Sequence, residues 1–251
     1  MSKSPQQFYD DLADSYSYIF PDWQASMERQ GEILRKLIGE PPLSVLDCSC
    51  GIGTQAIGLA REGYKVHATD ISSKEVAKAK EAADKMGVNL TFGVADFRTL
   101  DTQVAGEYDA VISFDNSLPH LLNDEDLLKA LTAMKAKLVE GGKLYISIRD
   151  YDALLEEKPT ATLPQVTQTQ DGERIYFQTW RWDEDSPTYE TNMFILVQDS
   201  NGWRVNNSST TYRALRRNEL TDLLKQAGYK DITWLELQES GYYQPIVRAM
   251  K

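Results

Sequence analysis

The clearest chemistry in this sequence lies around one turn. The run Val45-Leu-Asp-Cys-Ser-Cys-Gly51-Ile-Gly53-Thr-Gln-Ala56 leads from a short apolar stretch into a helix-forming one. Gly51 and Gly53 let the backbone turn sharply and approach a ligand closely. Asp70 closes the next apolar stretch, where it can accept both hydroxyl hydrogens of a ribose or cap the helix that follows. A Gly-x-Gly-x-x-Ala turn after a strand also fits a dinucleotide fingerprint. Asp47 separates the two readings. A dinucleotide sets its pyrophosphate at such a loop and at the helix N-terminus behind it, and a carboxylate four residues ahead of Gly51 repels that group. A cofactor with no phosphate and a cationic amino-acid end suits the turn better, and S-adenosylmethionine is such a molecule.

A second constellation follows two later apolar runs, which end Phe114-Asp115-Asn116-Ser117-Leu-Pro-His120 and Ile148-Arg149-Asp-Tyr151-Asp. Arginine presents a fork of donors suited to a carboxylate. The side-chain carbonyl of Asn116 can accept a hydrogen bond from an amine. Together they suit a small amino acid whose nitrogen is aimed at a methyl group. Plainer roles stay open: Arg149 paired with Asp150 or Asp152, His120 as a cap or packing residue, Phe97 as core, Cys48 and Cys50 as small fillers.

The elements that must position these residues show in the periodicity. Apolar residues at helical spacing (Phe8, Leu12, Tyr16, Ile19, then Met27, Ile33, Leu34, Leu37) give two amphipathic helices over residues 5–39, stopped by Gly39 and Pro41-Pro42. Strands are expected at 44–48, 65–70, 90–95, 108–114 and 143–148, and helices at 54–61, 72–86 and 124–138. The 72–86 helix opens on a capping box, Ser72-x-x-Glu75, and closes at Gly87. Such alternation predicts an α/β fold: a doubly wound, mostly parallel sheet with its ligands at the carboxyl ends of the strands. Residues 153–213 differ. Turn signals at Asp171-Gly172, Asp185-Ser-Pro187 and Asn201-Gly202 separate β-rich runs, predicting an antiparallel β insertion. Its aromatics Tyr176, Trp180, Tyr189 and Tyr212 are candidates for a substrate pocket. A helix capped by Asn218 and strands at 232–237 and 242–250 complete the core. The expected division is 1–40 as helices covering the cofactor site, 41–152 with 214–251 as core, and 153–213 as a lid.

The 251 residues carry a formal net charge of -11. Nucleic-acid binders draw much of their affinity from cationic faces, so this balance argues against nucleic acid and anionic membranes and for a small-molecule substrate. Cys48 and Cys50 stand too close for ordinary disulfide geometry. With His67 and His120 as the sole histidines, no metal site is expected. The polar start and the lack of a long apolar run predict a cytoplasmic protein. The oligomeric state is not legible.

The ordered set Asp47-x-x-x-Gly51-x-Gly53, Asp70, Ala95-Asp96-Phe97 and Tyr108-Asp-Ala-Val-Ile-Ser-Phe114 resembles that of the class I S-adenosylmethionine-dependent methyltransferases, across residues 44–148. The resemblance implies a Rossmann-like sheet of seven strands ending in an antiparallel strand. It implies that Asp96 bonds the adenine amino group and that Phe97 lines the adenine pocket, with Ile71, Phe114 and Asp115 also on the cofactor. The ends of the fourth and fifth strands are similar to those of the glycine N-methyltransferases and glycine/sarcosine methyltransferases, which read Asn-Ser and Arg-Asn-Tyr-Asp. By that resemblance Arg149 clamps a substrate carboxylate and Asn116 orients the amine, with Tyr151 beside them. Tyr9, Tyr18 and Arg29 then fold over the cofactor, Arg29 on its carboxylate. Asp115 departs, standing where glycine N-methyltransferase has Gly. The alternatives are O-methylation or another small acceptor, and a non-catalytic S-adenosylmethionine-binding regulator. Base-amino methylation of nucleic acid fits poorly, because Asp115-Asn-Ser-Leu is not an Asp/Asn-Pro-Pro-aromatic run.

Overall fold

The computed structural model describes residues 2–169 and 172–251, so Asp171, one half of an expected turn, lies outside the described residues. The chain opens with α1 (Pro5–Leu12), a 3-10 turn (Tyr16–Ile19) and α2 (Trp23–Ile38). The alternating region runs β1 (Ser44–Asp47), α3 (Thr54–Arg61), β2 (Lys65–Asp70), α4 (Ser73–Met86), β3 (Thr91–Val94), α5 (Leu100–Gln103), β4 (Tyr108–Ser113), α6 (Asp124–Ala136) and β5 (Leu138–Ser147). Next come α7 (Tyr151–Glu157) and four strands, β6 (Gln165–Thr169), β7 (Gly172–Trp182), β8 (Thr188–Asp199) and β9 (Gly202–Arg213). The chain returns through α8 (Arg217–Gln226), β10 (Lys230–Leu235), α9 (Leu237–Ser240) and β11 (Ile246–Met250).

Seven strands form one sheet in the order β10-β11-β5-β4-β1-β2-β3. Only β11 runs against its neighbours, antiparallel to both β10 and β5. Neighbouring residues of each inner strand serve opposite faces. Leu46, Val111, Leu144 and Ile146 meet Leu131 and Met134 of α6 and Leu220 and Leu224 of α8 on one side. Val45, Ala110, Ile112 and Tyr145 meet Leu34 of α2 and Ala56 and Leu59 of α3 on the other. Burial on both faces explains why these strands read as continuous apolar runs. Helices α2 and α3 approach closely at Gly31 and Gly58; a Cβ on Gly58 would stand 2.6 Å from the Met27 carbonyl oxygen.

The second sheet is antiparallel, β6-β7-β8-β9. Its inner face carries Trp180, Tyr189, Met193, Ile195 and Tyr212, and Met193 and Ile195 cluster with Phe8 and Leu12 of α1. The N-terminus is tied to the same sheet: the Lys3 backbone N–H donates to the Ser209 carbonyl at 3.1 Å.

Three local expectations are corrected. Ser72 does cap α4, its Oγ accepting from the Glu75 N–H at 3.1 Å, but the box is one-sided. Glu75 is fully buried with neither carboxyl oxygen partnered. Helix α8 starts at Arg216, not Asn218, because the Arg216 N–H donates to the Glu219 carboxylate at 2.9 Å one turn on. Strand β5 begins at Leu138 and crosses Gly141-Gly142, since Leu138 already pairs with Tyr108.

Candidate active site

Three adjoining cavities lie along the carboxyl edge of the large sheet. One of ≈ 470 Å³ is lined by Asp70, Ile71, Asp96, Phe97, His120 and residues of the N-terminal segment. One of ≈ 610 Å³ is lined by Arg29, Asp115, Arg149, Tyr176, Trp180 and Tyr212, among others. Between them sits a neck of ≈ 40 Å³ bounded by Ser49, Gly51, Asp70, Phe114 and Asp115. Among the described residues Tyr9 alone lines all three.

The neck is built by the glycine turn. Gly51 and Gly53 adopt φ of 50° and 90°, the left-handed region that side chains with a Cβ rarely enter. A Cβ on Gly53 would also lie 2.9 Å from Ile57 Cδ1. Asp70 fixes the loop: its Oδ2 accepts from the Gly51 N–H and its Oδ1 from the Ser72 N–H, each at 2.9 Å. Burial raises the Asp70 carboxyl above its ordinary value, opposed by those two backbone donors. Asp47 stands behind the loop, 1% exposed. Its Oδ1 accepts from the Ser49 N–H at 3.2 Å, while Oδ2 has no partner. Burial, with Asp70 and Asp115 nearby, pushes its carboxyl up to about 8. No cationic side chain lines the neck among the described residues. Such a site is short of a positive charge. S-adenosylmethionine fits that shortage, since its sulfonium and ammonium are both cationic and it brings no phosphate.

The 470 Å³ cavity has a mixed wall. Arg98 grips Asp96 through Nε at 3.1 and 3.0 Å and through Nη2 at 2.6 Å. Burial works to raise the Asp96 carboxyl, but Arg98 brings it below its ordinary range. His120 is buried, its Nε2 3.0 Å from the Tyr9 hydroxyl and its ring 4.1 Å from that of Tyr212. Burial, reinforced by Arg149, holds its imidazole down at about 3, so the ring is neutral and joins α1 to the second sheet.

On the acceptor side the backbone is strained. Asp115 and Asn116 take φ of 57° and 68° in succession. Left-handed non-glycine residues carry a conformational cost and gather at functional sites. Asn116 is 2% exposed and lines none of the cavities. Its Oδ1 accepts from the Arg149 backbone N–H at 3.1 Å and from the Tyr151 hydroxyl at 3.0 Å. A backbone N–H can only donate, so Oδ1 is fixed as the acceptor, and both of its sites are filled. The open group on Asn116 is instead Nδ2, buried and unpartnered. The expectation of a free side-chain carbonyl is therefore corrected.

Arg149 does not pair with Asp150 or Asp152; Arg217 takes both. The Arg149 guanidinium donates to the Tyr189 hydroxyl at 2.7 Å and to Gln178 Oε1 at 3.0 Å. It lies 4.8 Å from the Trp180 ring and 5.4 Å from that of Tyr212. All four partners come from the second sheet.

Four further residues lie elsewhere than expected, and of these Asp47, behind the loop, and Gly53 line none of the three cavities. Tyr18 lines none of the three cavities; the Arg174 guanidinium lies 3.8 Å from its ring centre. Tyr16, at the start of the same turn, lines both the neck and the acceptor cavity instead. Tyr151 is fully buried behind the wall, its hydroxyl 3.0 Å from both Asn116 Oδ1 and the Tyr189 hydroxyl. The sequence also gave no sign of Gln30, Gln55, Tyr242 and Tyr243, polar groups that gather behind Asp115. Only the pair Tyr242-Tyr243 before an apolar strand was a usable hint.

Comparison with known proteins agrees with this geometry. Residues 45–142 match the methyltransferase domain family. A glycine/sarcosine N-methyltransferase of Parasynechococcus marenigrum is 36% identical over 152 residues, 60% of this chain and 54% of that protein. The chain thus spans about half the length of that relative. A second one, from Aphanothece halophytica, is 28% identical over 231 residues, 89% of this chain and 80% of its own.

Over residues 45–142 the chain resembles the methyltransferases.

The whole fold, second sheet included, is shared with a solved sugar N-methyltransferase from a Streptoalloteichus species, at a TM-score of 0.75 and 17% identity over 100% of this chain and 95% of the other. Among the described residues, no helix is long and apolar enough to cross a membrane.

Proposed function

We propose that the chain is an S-adenosylmethionine-dependent methyltransferase acting on the nitrogen of a small carboxylated molecule, with amino acids of the glycine and sarcosine type as first candidates. One observation carries the reading: Arg149 reaches a wall of the 610 Å³ cavity with no carboxylate partner among the described residues. A guanidinium offers five donors, and the Tyr189 and Gln178 contacts use two of its N–H groups. The rest suit a substrate carboxylate, held against the faces of Trp180 and Tyr212. The names of the two relatives point the same way.

S-adenosylmethionine supplies an electrophilic methyl on a sulfonium. Gly51, Gly53 and Asp70 would hold its sugar end and Asp47 its ammonium, with Ile71, Asp96 and Phe97 around the base. Phe114, Tyr9 and Tyr16 border the neck, and Arg29, from the wall of the 610 Å³ cavity, would meet the cofactor carboxylate. The work left to the chain is orientation and exclusion of water. Holding two reactants in line is worth roughly 7–11 kcal/mol. Residues 1–40 and 153–213 act as covers, because α1 and the inner face of the second sheet share one apolar cluster above the cavities.

The test is transfer of labelled methyl from S-adenosylmethionine to glycine, sarcosine and dimethylglycine, with products identified by mass. N-methylated product with any of them supports the proposal. An O-methylated product would favour the hydroxyl or carboxylate alternative, and cofactor binding without transfer to any acceptor would favour a regulator.

A further inference from the structure

The sequence alone places Asp115 with the cofactor and gives the acceptor's nitrogen to Asn116. The hydrogen bonds point elsewhere. Asn116 Oδ1 is already filled by the Arg149 N–H and the Tyr151 hydroxyl, and Asn116 lines no cavity. Asp115 lines both the acceptor cavity and the neck, the junction where a methyl must cross. Its Oδ1 accepts from Tyr242 and, at 2.5 Å, from Tyr243; its Oδ2 accepts from Gln55 Nε2 at 2.8 Å. A carboxylate has about four acceptor sites, so one on Oδ2 is left. Its backbone is locked as well, the Asp115 N–H donating to Ser147 Oγ at 2.8 Å. Two consecutive left-handed residues keep this carboxylate at the junction.

We propose that Asp115 Oδ2 is the acceptor's nitrogen-binding group, a catalytic residue that takes the amine's proton before methyl transfer. The inference rests on the reading of an amine acceptor given above. An amino acid arrives as an ammonium, whose nitrogen has no free electron pair. On binding, an N–H bond breaks and an O–H bond forms on Asp115 Oδ2, leaving the electron pair on nitrogen. An arriving zwitterion thus finds Arg149 for its carboxylate and Asp115 for its ammonium, both lining the one cavity. The charged and titratable groups that share the cavity or the neck with Asp115 are Tyr9, Asp70, Asp150, Tyr176, Tyr212, Arg29 and Arg149, with Asp47 behind the loop and three tyrosines that Asp115 itself acts on, Tyr16, Tyr242 and Tyr243. The three tyrosines are all raised above their ordinary values, burial being the largest cause, and so are poor competitors for the role.

The experiment compares the wild type with Asp115→Asn, which keeps the shape and tolerates the left-handed backbone. Binding of glycine, sarcosine and methylamine is measured calorimetrically with S-adenosylhomocysteine present, and the dissociation constant of S-adenosylmethionine separately. The expected result is at least about a tenfold loss of binding for all three amines, with S-adenosylmethionine changed less than twofold. Turnover in Asp115→Asn should then climb with pH as the free amine fraction grows, where the wild type is flat. Arg149→Gln is the control, weakening glycine and sarcosine but not methylamine. Unchanged amine binding in Asp115→Asn, or weakened cofactor binding alone, would overturn the proposal. So would failure of every amine to bind the wild type. Failure of the N-methyltransferase reading registers separately, as O-methylated product or absent transfer despite bound cofactor.

Discussion

The cofactor side and the acceptor side of this molecule are built on different plans. Around the neck, the groups that matter are consecutive in sequence and largely main chain: the 47–53 turn, Asp70 with its two backbone donors, and the strand end at Asp96. Around the acceptor cavity they are side chains drawn from α1, α2, the 3-10 turn, the ends of β4 and β5, α7, and all four strands of the second sheet. The charge also differs. The neck carries carboxylates and no cation, whereas the acceptor cavity sets Arg29 and Arg149 against Asp115 and Asp150. A main-chain site tolerates little change and serves one ligand. A site of converging side chains can be re-specified while the fold stays. That contrast is open to test from both ends.

The largest effect is expected at Asp47. Asp47→Asn should weaken S-adenosylmethionine about a hundredfold, the scale of losing one member of a buried charge pair, while acceptor binding to the product complex is unchanged. Calorimetric titration would check both. A loss shared by the two ligands would erase the distinction between the sides. The same residue predicts a pH dependence. Its carboxyl is held at about 8, so below that value a cation can pair with it only by expelling a proton. Affinity for S-adenosylmethionine should therefore fall as pH falls below 8, by at most about tenfold per unit. The protons released should appear as buffer-dependent heats. For the ligand-free protein the sign is reversed. Between the unfolded value of about 3.9 and the folded value near 8, the folded state keeps a proton the unfolded state has lost. This group's contribution to stability thus declines as pH rises across that window and is flat above it.

The same contrast explains what could be read from sequence. The inner strands, the glycine turn, Asp47 and Asp70 were legible because strict apolar runs and local spacing determine them. The closeness of Asn116 and Arg149 followed from their strand ends. What each side chain does there did not, since the partners Tyr189, Gln178 and Trp180 lie in a region that shares no short-range pattern with them. Tyr16 and Tyr18 are both aromatic and two residues apart, and only the 3-10 geometry decides which one meets the cavity. Strand β6 was missed because it is polar but for one valine, Gln165-Val-Thr-Gln-Thr, and pairs along one edge only. Asn218 is a better cap by type than Arg216, but Glu219 reaching back to the Arg216 N–H settled the start of α8.

A smaller effect is expected from Arg149→Lys. The ammonium keeps the charge but loses the fork and much of the stacking on Trp180 and Tyr212. For a carboxylated acceptor KM should rise about tenfold, the worth of one lost charge-assisted hydrogen bond, with the cofactor dissociation constant within twofold. Steady-state kinetics with sarcosine and titration of S-adenosylmethionine would show it. Unchanged kinetics would remove the carboxylate clamp and leave the acceptor side without its defining group.

The smallest effect probes whether the two sides are independent at all. Tyr9 touches both cavities and the neck, and its hydroxyl lies 3.0 Å from His120 Nε2 and 3.4 Å from the Tyr212 hydroxyl. Tyr9→Phe removes those hydrogen bonds and keeps the ring. The expected cost in folding stability is about 1 kcal/mol, the ordinary worth of a neutral hydrogen bond, read from the urea midpoint at constant slope. If the two sides are separate, cofactor and acceptor affinities should each move by less than about twofold, the free-energy scale of a second-order contact. If instead both weaken together by a larger factor, α1 is the element through which closing over one ligand prepares the site for the other. Combining Tyr9→Phe with Arg149→Lys decides between these outcomes. Additive effects on acceptor affinity mean two independently built sites, and a coupling beyond about 0.5 kcal/mol means that the N-terminal helix joins them.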